Sequence, residues 1–209
     1  FANYYNPERM HFGVLRALND DRVAEGRGFS THPHDNMEII SIPLKGDLEH
    51  KDSMGNKAII KEGDVQVMSA GTGVYHSEYN KNKDKEVMFL QIWLFPNKKN
   101  VKPRYDQISI QDIGVKNSFY QILSPTSEDQ GVWIHQDAWF SMGEFERSHK
   151  ESYKLKSEQN GVYLFVLSGS VKVGDQELGT RDGFGMWDLK DFELEAVSDS
   201  KVLLMEVPM

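Results

Sequence analysis

Residues 29–93 alternate apolar and polar side chains with a period of two, the pattern of β-strands that each bury one face. Within residues 87–95, for example, Phe89, Gln91 and Trp93 share one face. Glycine-rich turns separate the apolar runs. The clearest predicted strands are residues 38–44, 57–60, 65–68 and 87–95. Many short strands at even spacing predict an all-β barrel or sandwich.

The second half of the chain weakly repeats this pattern. Residues 39–46 match residues 163–169 in their succession of apolar strand positions and a closing glycine. The polar segment 96–103, which has a proline at each end, is the best boundary between the halves. We therefore predict two domains, residues 1–105 and residues 106–209.

Composition excludes several classes of protein. A net charge of −8 lacks the basic excess that is typical of proteins that bind nucleic acid directly. The chain has no apolar run long enough to span a membrane, and it has no cysteine to form a disulfide or a thiolate ligand. No signal peptide is recognisable, although we expect further residues to precede Phe1. These features predict a cytoplasmic monomer that contacts neither nucleic acid nor membrane, and they leave a protein partner open.

Three of the seven histidines lie in two short segments that have the spacing of metal ligands. His32 and His34 are two residues apart, and so are His76 and Glu78, so each pair points to one face of a strand. If the two strands are neighbours, three imidazoles and one carboxylate surround one ion and leave coordination positions open for substrate. These ligands suit Fe(II), which we expect, and also Mn, Co, Ni, Cu or Zn.

Strand geometry allows either Glu38 or Glu78 as the carboxylate ligand. We favour Glu78, because it shares a face with His76 without an intervening turn. Glu38 is then expected to orient an imidazole from behind, and Gln91 is a further candidate for such a supporting role.

The residues around these histidines resemble known motifs. Residues 28–38 contain the pattern G-x-x-x-H-x-H-x-x-x-E, which resembles the first cupin motif, and residues 71–78 resemble a variant of the second. More narrowly, the chain resembles the pirin family and is closest to its bacterial quercetinase-like branch. The segments that carry this resemblance are residues 1–5, 32–34, 46–56, 63–73 and 103–105.

The resemblance implies a bicupin fold, in which two double-stranded β-helix barrels follow one another. It points to Glu78 as the carboxylate ligand beside His32, His34 and His76. It also implies quercetin 2,3-dioxygenase activity, with a flavonol and O₂ as substrates and carbon monoxide as a product. For this reaction we expect Glu78 to serve as the catalytic base as well, by detaching from the metal or sharing it. Because other pirins resemble iron-dependent transcriptional co-regulators, the alternative is a metal-binding regulatory protein that binds a protein partner and has no physiological enzyme activity.

The second barrel is expected to be degenerate and to bind no metal. Aligning Gly46 with Gly169 places Leu155 and Ser157 at the positions of the two histidines of the first segment. Neither side chain is a usual metal ligand. His135 and His149 are isolated from other candidate ligands, and we expect each to be a structural or surface residue.

Overall fold

The computed structural model describes residues 6–209, which form nineteen β-strands and one short 3₁₀ helix, Pro7–Arg9. The all-β prediction is confirmed for this part of the chain. No helix among these residues is long and apolar enough to cross a lipid bilayer. The opening segment 1–5, which carries part of the resemblance, lies outside the described residues.

The first half forms a barrel from two facing sheets. The five-stranded sheet has the order β1-β8-β3-β6-β9, and the four-stranded sheet has the order β2-β7-β4-β5. Four of these strands, β3, β5, β6 and β8, coincide with the clearest predicted ones. The bounds are β1 Leu15–Val23, β2 Gly28–His34, β3 Glu38–Lys45, β4 Leu48–Asp52, β5 Lys57–Ile60, β6 Asp64–Ser69, β7 Val74–Asn80, β8 Val87–Leu94 and β9 Arg104–Ser109.

The second half repeats this plan, with a six-stranded sheet in the order β11-β10-β12-β19-β14-β17 and a four-stranded sheet in the order β13-β18-β15-β16. Strands β13, β18 and β15 correspond to β2, β7 and β4 of the first barrel. The bounds are β10 Phe119–Ser124, β11 Val132–Trp133, β12 Trp139–Phe145, β13 Lys150–Lys154, β14 Asn160–Ser168, β15 Val171–Val173, β16 Gln176–Leu178, β17 Gly183–Met186, β18 Asp191–Ala196 and β19 Ser200–Pro208.

The two large sheets pack against each other and bury a shared core. Ile40 and Ile92 of the first half lie in one cluster with Phe140 and Leu203 of the second. The opposite face of each large sheet lines the interior of its own barrel, as Ile39 does in the first. Burial on both faces explains why the central strands are nearly continuous apolar runs. Each fully buried aliphatic side chain contributes about 1.5–3 kcal/mol.

The predicted domain boundary falls inside an ordered strand. Strand β9 begins at Arg104 and pairs with β6, so the first large sheet extends to Ser109. The division at residue 105 stays a prediction.

The register of the small sheets corrects one alignment. Tyr153 lies opposite Phe192 in the second barrel, as His32 lies opposite His76 in the first. The counterpart of His32 is therefore Tyr153, two residues before the position that the sequence alignment gave. The reason is the link to the next strand, which spans residues 155–159 in the second barrel and only residues 35–37 in the first.

Candidate metal centre

Strand β7 lies inside the small sheet of the first barrel, between β2 and β4. His32 of β2 lies directly opposite His76, and His50 of β4 lies directly opposite Glu78. Side chains that are directly opposite in antiparallel strands point to the same face. The four side chains therefore lie side by side on the face that lines the barrel.

A β-bulge in β2 turns its histidines towards this face. Phe29 pairs with Glu78 and His32 pairs with His76, so β2 advances by three residues where β7 advances by two. The extra residue reverses the alternation of side chains, and both Phe29 and His32 face inward as a result. In a regular strand, Phe29 and His32 would point to opposite faces.

His32, His34 and His76 form a first cluster, which we call the outer group because two of its members are partly exposed. One ring nitrogen from each lies within 4.8 Å of the other two. The Nε2 atoms of His32 and His76 are 3.0 Å apart. Two ligands that each bind an ion at about 2.1 Å lie about 3 Å from each other, so this pair has the separation that a shared ion requires.

The hydrogen bonds of the outer group leave ring nitrogens free. Nδ1 of His32 donates to the carbonyl of Ser30, within the bulge, at 2.8 Å, so the neutral ring has a bare Nε2. Nε2 of His34 and Nδ1 of His76 are buried and have no hydrogen-bond partner among the described residues. A buried polar atom without a partner costs about 1–3 kcal/mol, and an ion bound at Nε2 of His34 removes this cost at that atom. The residues present therefore fit a metal ion.

Burial keeps the imidazoles of His34 and His76 neutral. It lowers the pKa of His76 to about 3 and the pKa of His34 to about 4, and the neighbouring His32 lowers both further. The neutral ring is the form that binds a metal ion. At neutral pH, protons therefore compete little with an ion for these two side chains.

His50, His76 and Glu78 form a second cluster, the inner group, in which all three side chains are buried. Their donor atoms also lie within 4.8 Å of one another, and His76 belongs to both groups. Nε2 of His50 donates to the covered carboxylate of Asp52 at 3.0 Å. Burial lowers the pKa of His50, so this ring is also neutral.

The carboxylate of Glu78, a residue only 1% exposed, reaches across the barrel to the large sheet. Ser41 donates to one oxygen at 3.0 Å, and Gln91 donates to the other. Trp93 in turn donates to the amide oxygen of Gln91 at 3.0 Å. Burial raises the pKa of Glu78 to about 7, because the two donors offset only part of the lost hydration.

The structure brings the predicted ligands to one face of one barrel and divides them between the two groups. His32, His34 and His76 are together in the outer group, while Glu78 lies with His76 in the inner group. The ligand set of three histidines and one glutamate stays a prediction.

Glu38 and Gln91, the two predicted supporting residues, have different hydrogen-bond partners. Gln91 donates to the carboxylate of Glu78, and its role behind a metal ligand stays a prediction. Glu38 accepts hydrogen bonds from the Ser69 hydroxyl at 2.7 Å and from the backbone of His135. The prediction that Glu38 orients an imidazole is therefore wrong, because its partners lie on β6 and on the segment after β11.

Sequence reasoning missed His50. It lies in the segment 46–56 that carries the resemblance, but no second histidine marks it. The available signal was the pair His50 and Asp52, which has the same two-residue spacing as His76 and Glu78. What the sequence did not show is that β4 pairs with β7 and places both residues beside the other candidates.

Comparisons with known proteins identify the family. The family model described as Pirin matches residues 1–94, and the one described as the quercetinase C-terminal cupin domain matches residues 121–207. The quercetin 2,3-dioxygenase of Escherichia coli K12 is 38% identical over 208 residues, which cover 100% of this chain and 88% of that protein. The chain belongs to the pirin family.

Solved pirin structures share the whole fold. The crystal structure of YhhW from Escherichia coli superposes with a TM-score of 0.94 at 38% identity and covers 100% of this chain and 87% of its own. The structure of bacterial pirin YhhW in complex with nickel(II) gives a TM-score of 0.93 at 37% identity, with coverage of 100% and 88%. The predicted bicupin fold of two cupin barrels is confirmed.

Proposed function

We propose that this pirin is a metal-dependent dioxygenase that opens the ring of flavonols with O₂ and releases carbon monoxide. The observation that carries the proposal is the set of buried, unpartnered imidazole nitrogens beside a buried carboxylate inside the first barrel. The name of the Escherichia coli relative, quercetin 2,3-dioxygenase, supports this reaction class.

His32, His34, His76 and Glu78 are the proposed ligands of one divalent ion, which we take to be Fe(II). When bound, the ion supplies positive charge and open coordination positions for a hydroxy-ketone and O₂. Three neutral imidazoles and one carboxylate also suit Mn, Co, Ni, Cu and Zn. The nickel(II) complex of a relative supports binding of a divalent ion.

Glu78 is the proposed base that takes the proton of the flavonol hydroxyl. When one oxygen of this carboxylate is free of the ion, it can accept the hydroxyl proton, because it lies in the same group as the histidine His76. Ser41 and Gln91 contact its oxygens from the large sheet, so they hold the carboxylate in one orientation while the proton moves. Trp93 holds Gln91 in the same way.

We assign metal binding to the first domain, residues 1–105, and a supporting role to the second, residues 106–209. The ladder register places Tyr153, Phe192 and Leu194 of the second barrel at the positions of His32, His76 and Glu78. The tyrosine hydroxyl is already used, because it donates to Glu206 at 2.8 Å. A cytoplasmic monomer stays our prediction.

One observation favours the alternative, a metal-binding regulatory protein that a partner protein recognises. Tyr75 and Tyr79 lie on the outer face of β7, the strand that carries His76 and Glu78, and both are exposed. Exposed aromatic side chains are common in protein-binding surfaces.

Aerobic turnover of quercetin separates the two functions. The protein is loaded in turn with iron, manganese, cobalt, nickel, copper and zinc, and quercetin loss is measured together with carbon monoxide release. We expect release from wild type and from a His149→Ala control, and none from His76→Ala. Stoichiometric metal without carbon monoxide for any ion would refute the dioxygenase and favour the regulatory function.

A further inference from the structure

His50 is buried at 0% exposure inside the first barrel, yet the proposed ligand set does not use it. Its Nδ1 atom has no hydrogen-bond partner among the described residues. Such an atom costs about 1–3 kcal/mol unless something binds it. A neutral group that lacks this cost, such as a valine, would fill the same interior position more favourably.

Asp52 fixes the orientation and the tautomer of His50. Nε2 of the ring donates to Oδ2 of Asp52, so in the neutral ring Nδ1 carries a lone pair and no proton. The carboxylate is itself held by the amide of Asn56 at 2.8 Å and by the backbone N–H of Met54 at 2.9 Å. Carboxylates that hold a histidine in this way are the usual partners of metal-binding imidazoles.

His50 belongs to a set of side chains with a known preference for metal ions. His50 lies opposite Glu78 in the β4–β7 ladder, and Asp52 lies opposite His76. His50, His76 and Glu78 offer donor atoms within 4.8 Å of one another. Two histidines and one carboxylate on one side of an ion, with the other positions open, are typical of non-haem Fe(II) oxygenases.

The second barrel shows that the architecture does not need a histidine at this position. In the β15–β18 ladder, Val173 lies opposite Leu194, as His50 lies opposite Glu78. Val173 and Leu194 pack in the apolar core of the second barrel together with Phe192. Where the second barrel lacks counterparts of Glu78 and His76, it also lacks a counterpart of His50. We therefore attribute His50 to the candidate metal site and not to a requirement of the barrel fold.

We propose that His50, His76 and Glu78 form a second metal-binding position, with Asp52 orienting His50, so that a divalent ion has two overlapping positions that share His76 and Glu78. The outer position uses His32 and His34 and is nearer to solvent. The inner position is the 2-histidine-1-carboxylate set, and its preferred ion is of the Fe(II) class. This inference rests on the proposed function only in assuming that the barrel binds a divalent ion.

Co(II) binding to a protein without the outer group tests the inner position directly. The double variant His32→Ala/His34→Ala keeps all three inner residues. We expect it to retain Co(II) with lower affinity than wild type, measured by equilibrium dialysis and chelator competition. X-ray absorption should count two imidazoles on the ion. Adding Asp52→Asn should weaken binding by about 10–100-fold, the usual effect of removing a carboxylate behind a metal-binding histidine.

Adding His50→Val to the double variant should weaken Co(II) binding by about 100-fold or more and remove one imidazole from the count. Valine is the residue that the second barrel uses at this position, and circular dichroism and thermal unfolding will show whether the barrel stays folded. Adding His149→Ala is the matched control, because this histidine stacks on Phe145 in the other barrel. It should change neither affinity nor imidazole count.

The outcomes separate this inference from the proposed function. If wild type binds one Co(II) and the double variant binds none, the inner position does not exist, while the proposed function stands. If His50→Val leaves the affinity and the imidazole count of the double variant unchanged, His50 is not a ligand. If wild type itself binds no divalent ion, the proposed function fails.

Discussion

The two barrels share one plan but use their interior positions in opposite ways. In the first barrel, the small sheet carries ionisable side chains inward, and in the second barrel the matching positions are aromatic or aliphatic. The matched pairs, first barrel before second, are His32 and Tyr153, His34 and Leu155, His50 and Val173, His76 and Phe192, and Glu78 and Leu194. All five residues of the second barrel belong to its core or pack against it.

Glu78 in the first barrel and Glu206 in the second are both buried, but they differ in their hydrogen bonds. Glu206, at 0% exposure, accepts hydrogen bonds from the Tyr153 hydroxyl, the Asn160 amide and two backbone N–H groups in the link after β13. Glu78 receives only the donors of Ser41 and Gln91. Glu206 accepts from four groups and holds a loop in place, whereas Glu78 accepts from two donors and has a carboxylate oxygen within 4.8 Å of donor atoms of His50 and His76.

The comparison shows which buried side chains lower the stability of the first barrel. The second barrel fills the matching interior positions with apolar side chains, as stability alone favours. Its own unpartnered buried atoms, on His149, Arg181 and Ser200, lie outside these positions. The first barrel leaves nitrogens of His34, His50 and His76 without partners. The contrast at the matched positions therefore supports ion binding at Nε2 of His34 and at Nδ1 of His50.

The largest expected effect comes from His76→Ala, because His76 belongs to both groups. We expect metal content to fall from about one ion per chain to nearly none, and carbon monoxide release to be lost with it. Metal analysis after dialysis measures the first effect. The matched variant in the other barrel, Phe192→Leu, should keep its metal, and full metal retention in His76→Ala would contradict the comparison.

Glu78→Gln should lower carbon monoxide release by about 100-fold or more in protein saturated with metal, because the amide cannot accept the substrate proton. The barrel should stay folded, since Gln keeps the size of the side chain. Glu38→Gln is the control, because Glu38 is equally buried and bonded to a serine, but it lies in neither histidine group. If both variants lost carbon monoxide release to the same extent, Glu78 would not be the catalytic base.

In the second barrel, Glu206→Gln should affect stability and leave metal binding unchanged. The groups that donate hydrogen bonds to the Glu206 carboxylate would meet a neutral amide in the variant. We expect this change to lower the free energy of unfolding by about 3–5 kcal/mol. Urea denaturation measures this cost, and metal analysis of the folded variant tests the second point. A reduced metal content would mean that the second barrel contributes to the centre.

The smallest effect concerns Glu38, whose pKa burial raises to about 7. The folded state then holds a proton that the unfolded state releases near pH 4.5, so the free energy of unfolding falls as pH rises between these values. The total fall is about 3 kcal/mol at most. Glu38→Gln should abolish this contribution, so the variant should gain stability relative to wild type from pH 5 to pH 8 in denaturation experiments. If the difference in the free energy of unfolding between the variant and wild type stayed constant from pH 5 to pH 8, the raised pKa of Glu38 would be contradicted.

Much of the site was predictable from local spacing. The two-residue intervals between His32 and His34 and between His76 and Glu78 place each pair on one face of a strand, whatever the fold. The role of Glu38 was not predictable, because its partners, Ser69 and His135, lie far along the chain. His50 was missed for the same reason, since only strand pairing brings β4 beside β7.

The sequence by itself determined the all-β class, the repeat of one plan in two halves and the pairs of residues that share a strand face, because period-two alternation is a local property of an extended chain. The tertiary structure decided which strands are neighbours, and it placed the bulge in β2 that turns His32 inward. It also decided the register in the second barrel, where a link two residues longer shifts the match of His32 to Tyr153. These features depend on contacts between distant segments, and a one-residue change in register reverses every side chain of a strand.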